Sequence, residues 1–292
     1  MSALETIDVT QWDEPLTAAA AAHATRELEN GSILFLPHLR FSLSPGQSRF
    51  LAPQWTDGKA KNVSYDRTAA RLQHTSAQGE DHRQLAAMMM RFAEQARALV
   101  LNVCPAYARE LRDGLTSLRP VQTHGRTASR TKDDTLLHID AFASRPTQGA
   151  RILRVFCNVN PDNEARVWEI GEPFETVASR FRSRIPRQPP GSAWLLERMG
   201  ITRRRRTPYD HIMLCLHDCL KRDAAYQRDA ARARIEFPAG STWIVFSDRV
   251  MHAALAGQHM LEQTFYLPVN AMLDERRAPL RVLEKLYRRK LA

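Results

Sequence analysis

Apolar residues recur at helical spacing most clearly between Asp81 and Val103, where Leu85, Met88, Met89, Phe92, Ala96 and Leu99 would line one face. The cluster Met88-Met89-Met90 reads as filler for an irregular core. Pro105 should stop or kink this helix, with Tyr107 to Leu111 resuming it. A second helix is expected over Leu16 to Glu29, which holds five consecutive alanines, Ala18 to Ala22. Asn30-Gly31 can close it, because glycine accepts the left-handed conformation at a helix end. A third helix opens at Thr207-Pro208, a capping side chain followed by proline in the first turn, and runs to about Arg222. Pro173 to Arg182 reads as another. In the tail, Ala278 to Ala292, the stripe Leu280, Leu283, Tyr287 and Leu291 is flanked by Arg281, Lys285, Arg288, Arg289 and Lys290. Such a basic amphipathic helix either packs as a terminal helix or lies on an anionic lipid surface.

Between the helices lie short runs of β-forming residues. Ile33 to Leu36 reads as a buried strand stopped by Pro37, and Arg151 to Asn158 as a strand with two arginines among apolar residues. Thr242 to Phe246 is framed by the turns Pro238-Ala239-Gly240 and Ser247-Asp248-Arg249. Arg119 to Arg130, with Thr123, His124, Arg126, Thr127 and Ser129, is expected as a further polar strand, and His124 as a surface or supporting histidine. Ser44 to Thr75 reads as an irregular polar loop. Its Lys59, Lys61, Asn62 and Tyr65 would otherwise suit the wall of a pocket for an anionic substrate.

There is no repeat at solenoid spacing, no P-loop, no His-Glu-x-x-His and no Gly-x-Ser-x-Gly. The pattern predicts an α+β protein: a double-stranded β-helix (jelly roll, cupin-like) core flanked by helices. Residues 1–292 are expected to form one catalytic domain. Its parts are a mainly helical and loop region at 1–118, the jelly-roll core at 119–270 with a helical insertion near 173–232, and a basic amphipathic helix at 271–292.

Composition narrows the partners. The net charge of +10 favours an anionic one. No basic motif interleaved with aromatics points to nucleic acid. The run Arg203 to Arg206 is either a solvated face or a contact for phosphates. Four cysteines in 292 residues do not make a disulfide framework. The opening residues lack a signal peptide and no apolar run reaches membrane-span length, so a cytoplasmic location is expected. His211, Cys215 and Cys219 share one helix face and suggest a thiolate-imidazole site, but Ile212, Leu216 and Leu220 beside them make an ordinary core stripe.

The strongest candidate chemistry is His138-Ile139-Asp140 with His252. Strand side chains alternate, so His138 and Asp140 point the same way. His252 follows a strand and a turn, which can carry it opposite that pair. Two imidazoles and one carboxylate are the facial set that holds iron(II) with coordination positions left open.

The blocks GSILFLPHL, DGKAKNVSYD, LHIDAF, GARILRVFCNVNP and MHAALAGQHMLEQTFYLP resemble the bacterial Kdo hydroxylase family, within the iron(II)- and 2-oxoglutarate-dependent dioxygenases. The resemblance covers the chain from about Gly31 onward. It implies hydroxylation of the third carbon of 3-deoxy-D-manno-octulosonic acid (Kdo) in Kdo-lipid A, giving Ko, with Fe(II), 2-oxoglutarate and O2. It also implies a glycolipid substrate in the cytoplasmic leaflet of the inner membrane, and hence a protein peripheral on that anionic surface. The metal ligands carry over as His138, Asp140 and His252. Many relatives place an arginine soon after the second histidine to pair the far carboxylate of 2-oxoglutarate, but Gln258 to Gln263 here holds no arginine or lysine. Arg154 is the preferred substitute, on the same strand face as Asn158, with Gln263 adding a hydrogen bond; Arg151 is expected to face solvent. An oxygenase of the same fold acting on protein or nucleic acid, and a non-enzymatic barrel that binds an anionic glycolipid, remain as alternatives.

Overall fold

The computed structural model describes residues 4–122 and 129–292. Its strands are β1 Leu4–Thr6, β2 Ile33–Leu36, β3 Val63–Asp66, β4 Arg71–Gln73, β5 Arg112–Arg119, β6 Arg151–Asn158, β7 Arg166–Ile170, β8 Ala233–Phe237, β9 Thr242–Phe246, β10 His252–Ala256 and β11 Met260–Leu267. Eight of them form a large sheet in the order β1-β2-β9-β6-β11-β5-β3-β4, and three form a small sheet, β10-β7-β8. Every pairing is antiparallel except β1 with β2. The expected jelly roll is what the chain builds.

Alternation along the central strands gives the large sheet two buried faces. Leu153, Val155 and Cys157 of β6, with Ile244 and Phe246 of β9, pack beneath the helices α1 (Ala18–Asn30) and α2 (Gly79–Val103). Phe156 of β6 and Trp243 and Val245 of β9 point the other way, toward Trp168 of β7 and Phe237 of β8. There the Phe237 and Trp243 rings stack at 4.1 Å, and Trp168 meets Trp243 edge-on at 5.6 Å. This aromatic block closes one end of the space between the sheets and leaves the other end open for polar residues.

Local sequence explains the helix ends. Thr17 caps α1 by accepting from the Ala20 amide, and Gly31 closes it at φ 101°. Helix α5 (Pro208–Arg222) begins with a capping box in which Thr207 and Asp210 exchange side-chain and backbone hydrogen bonds. The second carboxylate oxygen of Asp210 accepts from the amides of Thr147 and Gln148 at 2.8 and 3.0 Å, tying the loop after Asp140 to this helix.

Several expectations are corrected. Tyr107 to Leu111 does not resume a helix; one 3-10 turn, Pro105–Tyr107, leads into β5. The polar strand falls earlier than expected and ends at Arg119, while Thr123 to Ala128, including His124, lie outside the described residues. Ser44 to Thr75 holds the hairpin β3–β4 besides its 3-10 turns, so the first 118 residues supply five strands to the large sheet. In the tail, helix α7 (Pro279–Tyr287) buries Leu280 and Leu283, and Leu291 beyond it is buried too. The three leucines of the stripe are therefore covered by protein, the packed form of the two readings, while Tyr287 stays half-buried. The partner of the stripe is the loop after Asp140: a Cβ on Gly149, which sits at φ +92°, would lie 2.8 Å from Leu280. Among the described residues no helix is long and apolar enough to cross a membrane.

Arg151 is also corrected. It is fully buried on the helix side of β6. Its guanidinium grips Asp248 through Nε at 2.8 Å and Nη2 at 3.1 Å and lies 3.8 Å over the Phe246 ring. Burial pushes the Asp248 carboxyl above its usual range against the pull of Arg151. This pair locks the turn after β9 onto the start of β6. Breaking half of it strands a charge in the core, so Asp248→Asn should cost about 3–5 kcal/mol of stability in chemical denaturation. The double change Arg151→Met/Asp248→Leu should cost less than Asp248→Asn alone; a single-variant cost below about 1 kcal/mol would show the pair to be unimportant.

Candidate metal centre

The small sheet has a further edge that supplies the site. The amide of Ala254 donates to Asp134 at 2.7 Å, and His138 and His252 exchange backbone hydrogen bonds at 3.0 and 2.9 Å. The Asp140 amide donates to Ser247 at 2.8 Å. The stretch from Asp134 to Asp140 thus runs antiparallel to β10, with His138 directly opposite His252. Ile139 turns into the core, which leaves His138 and Asp140 on the cavity side.

Both imidazoles are held in one tautomer. Nδ1 of His138 lies 2.7 Å from the Leu136 carbonyl and Nδ1 of His252 lies 2.8 Å from that of Val250. Carbonyls only accept, so each Nδ1 carries the proton and each Nε2 presents a lone pair. The ring centroids are 4.6 Å apart, and Trp168 stacks on His252 at 5.0 Å. The candidate ligand atoms of His138, Asp140 and His252 all lie within 4.8 Å of one another.

Electrostatics favour a ligand set over a hydrogen-bonded core cluster. Burial, then the proximity of His252 and Lys221, drives His138 well below its ordinary range. Burial likewise lowers His252. Burial alone would raise Asp140, but Arg154, His252 and His138 together outweigh it and hold the carboxyl well below the usual range. Its buried Oδ2 makes no hydrogen bond of good geometry, although Arg154 Nε stands 3.2 Å away as an ion pair. Two neutral imidazoles and a carboxylate whose candidate ligand atoms converge fit an iron(II) ion and its open positions. The alternative thiolate site gains nothing from the fold: His211 Nε2 lies 2.9 Å from the Pro186 carbonyl, and the triad is the metal-competent cluster found among the described residues.

The triad opens on a cavity of about 430 Å³ between the sheets. Arg154 lines it, with Nε 3.2 Å from Asp140 and Nη1 3.3 Å from Glu262. Arg119 joins the wall from the end of β5, paired to Asp134 at 3.2 Å and bonded to Asn62 at 3.1 Å. Lys61 pairs with the same Asp134. Arg166 enters from β7 and donates to the Gly257 carbonyl at 2.7 Å; burial, with Arg119 nearby, pushes its guanidinium down to about 9. The cavity therefore concentrates positive charge around the triad, as an anionic co-substrate requires.

Asn158 and Gln263 do not join this site. Asn158 spends its amide on the Glu164 and Phe237 carbonyls and accepts from the Asn160 amide, so it pins the end of β6. Gln263 points to the opposite face of β11, where it accepts from Thr116 and donates to the Thr264 carbonyl. Its neighbours Glu262 and Thr264 line the cavity instead. Of the four loop residues read as a pocket wall, Lys61 and Asn62 line the cavity, whereas Lys59 does not and Tyr65 is buried in the core. Sequence reasoning missed Arg119, Arg166 and Trp168. The last two stand at i and i+2 on one strand, and that alternation was the available signal.

Comparison with known proteins agrees with this geometry. A family model described as 3-deoxy-D-manno-oct-2-ulosonic acid (Kdo) hydroxylase matches residues 11–290. A crystal structure of the Kdo hydroxylase KdoO, a non-heme Fe(II) alpha-ketoglutarate-dependent dioxygenase, in complex with alpha-ketoglutarate and Fe(III), is 42% identical with a TM-score of 0.96, covering 99% of this chain and 97% of that one. The cobalt(II) complex of KdoO is 44% identical at the same TM-score and coverage. The complex with succinate and Fe(III) is 43% identical with a TM-score of 0.95, again over 99% and 97% of the two chains. A search of curated proteins returned no match. A triad of this geometry, in a jelly roll matched from end to end, makes the chain a member of the Kdo hydroxylase family.

Proposed function

We propose that this protein hydroxylates the third carbon of Kdo in Kdo-lipid A, giving Ko, with iron(II) held by His138, Asp140 and His252. The observation that carries the reading is the convergence of two neutral imidazoles and an ionised carboxylate at the mouth of a cationic cavity. Bound iron(II), with 2-oxoglutarate and O2, supplies the oxidising power to turn a C–H bond into C–OH, releasing succinate and carbon dioxide.

The chain's own residues supply placement. Arg154 holds a carboxylate of 2-oxoglutarate by its guanidinium fork, while Arg119 and Arg166 add positive charge deeper in the cavity. Trp168 fixes the His252 ring by stacking, and the Phe156–Trp243 block keeps water from the inner end. The substrate is a membrane glycolipid, so the protein works at the cytoplasmic face of the inner membrane. Its net charge of +10 suits that anionic surface. A barrel that merely bound the glycolipid would not need a ligand set of this kind; iron retained after anaerobic purification separates the two.

Replacing His138 or Asp140 by alanine should abolish succinate release that depends on Kdo-lipid A and should lower bound iron. Wild-type rates in either variant would refute the ligand assignment. Arg154→Ala should raise the 2-oxoglutarate KM by about 10- to 100-fold, the loss of a charge-assisted pair. An unchanged KM would move that role to Arg119 or Arg166.

Stability should depend on pH through the two imidazoles. Their folded-state values lie below the ordinary 6.5, so on acidification the unfolded chain takes up protons first. In metal-free protein this contribution is complete above 6.5 and falls away as the pH drops toward the folded-state values. Denaturation midpoints between about pH 7.5 and 5.5 should fall for the wild type and flatten for His138→Gln/His252→Gln. Parallel slopes for the two proteins would contradict it.

A further inference from the structure

A second cavity, of about 390 Å³, shares Leu115, Arg145 and Tyr266 with the catalytic one and so continues it outward. Its wall holds Arg145, Arg203 and Arg204, the last two from the arginine run that follows α4 (Ser192–Arg198). The triad and its co-substrate use none of these side chains.

The acids in this wall are already committed. Asp113 is paired to Arg67 and Arg97, each at 2.9 Å, and Asp66 accepts from the Ala69 amide at 3.1 Å. Arg112, at the rim, has Glu110 at 3.7 Å. Among the described residues no carboxylate lies within ion-pair distance of Arg145, Arg203 or Arg204. Burial and the nearness of Arg203 both push the Arg145 guanidinium below its ordinary range. Like charges are therefore crowded at one place without an ion-paired partner, and Asp66 in the same wall offsets only part of the push on Arg145.

The crowding is built by hydrogen bonds to two backbone carbonyls, one from a backbone amide and one from the Arg206 guanidinium. The Arg203 amide donates to the Ser144 carbonyl at 2.9 Å, and Arg206 donates to that of Ala143 at 2.6 Å. These bonds hold the arginine run against the loop that carries Arg145. Guanidinium groups so placed fit the oxygens of a phosphate. The adjoining surface indicates its source. Four of the seven exposed large apolar side chains among the described residues, Trp194, Leu195, Met199 and Ile201, stand just ahead of the arginines. Exposed apolar side chains so close along the chain to arginines without ion pairs suit a phosphate carried on a lipid better than a free ion.

We propose that the Arg145–Arg203–Arg204 cavity binds a phosphate of the lipid A part of the substrate while Kdo occupies the catalytic cavity. This rests on the reading of the substrate as Kdo-lipid A and adds how the enzyme distinguishes that glycolipid from free Kdo.

The test compares Kdo-lipid A in detergent micelles with the same glycolipid after phosphatase treatment, reading succinate release by wild type and Arg203→Ala/Arg204→Ala. Removing the phosphates should raise the wild-type KM for glycolipid by about 10-fold or more. The double variant should show a rise of similar size on the intact glycolipid and no further rise on the dephosphorylated one. Its KM for 2-oxoglutarate should stay at the wild-type value, which reports an intact catalytic cavity, and Arg203→Lys/Arg204→Lys should recover part of the loss. A wild type indifferent to phosphate removal, whether or not added inorganic phosphate alters the rate, would overturn the proposal. So would a double variant that loses equally on both glycolipids. Absence of succinate release by wild type with either glycolipid would bring down the underlying substrate reading, and this proposal with it.

Discussion

The reciprocal backbone bonds between His138 and His252 are the constraint on which the site depends. Two amides and two carbonyls place residues far apart in sequence directly opposite each other in a ladder. Side chains of a directly opposed antiparallel pair lie on one face and close together. The backbone carbonyl two residues before each histidine then fixes its tautomer, at Leu136 and at Val250. The tautomer is therefore already set for the Nε2 atoms to meet a metal. The same ladder delivers Asp140, because Ile139 is drawn into the core and its neighbours must turn outward.

Charge is arranged in two layers around β6. On the helix side Arg151 and Asp248 neutralise each other in full burial and hold the turn that precedes β10. On the cavity side Arg154 is shared between Asp140 and Glu262. Two arginines three positions apart on one strand thus serve opposite faces, one as a structural lock and one beside the metal ligands. The apolar content of the strand tells a reader that both faces are buried. It does not tell which arginine meets a carboxylate on the helix side and which meets carboxylates in the cavity.

Outside the triad, positive charge continues along one path from the catalytic cavity to the surface. Arg119, Arg166 and Arg154 surround the inner chamber, Arg145 stands at the junction, and Arg203 and Arg204 line the outer chamber. The loop after Asp140 forms the shared wall. It is held by Asp210 at the start of α5 and by Gly149 against the tail. The terminal helix, which the sequence left as either a packed helix or a lipid contact, buries its leucines as the prop behind this loop.

The sequence by itself determined the local elements and the candidate ligand set. Capping residues, glycine at a helix end and runs of β-formers are short-range signals, so α1, α5, β2, β6 and β9 stand where the pattern put them. His-x-Asp with a later histidine after a strand and turn named the three side chains that converge in the cavity, because strand alternation is local geometry. Only the tertiary structure decided what those elements face. Gln263 and Asn158 have suitable chemistry, yet strand pairing spends both on internal hydrogen bonds. Arg119 and Arg166 become cavity residues because β5 and β7 come together across the sheets, a contact between distant parts of the chain. A side chain's partner across a sheet is set by which strands pair and in what register, and that is a property of the whole fold.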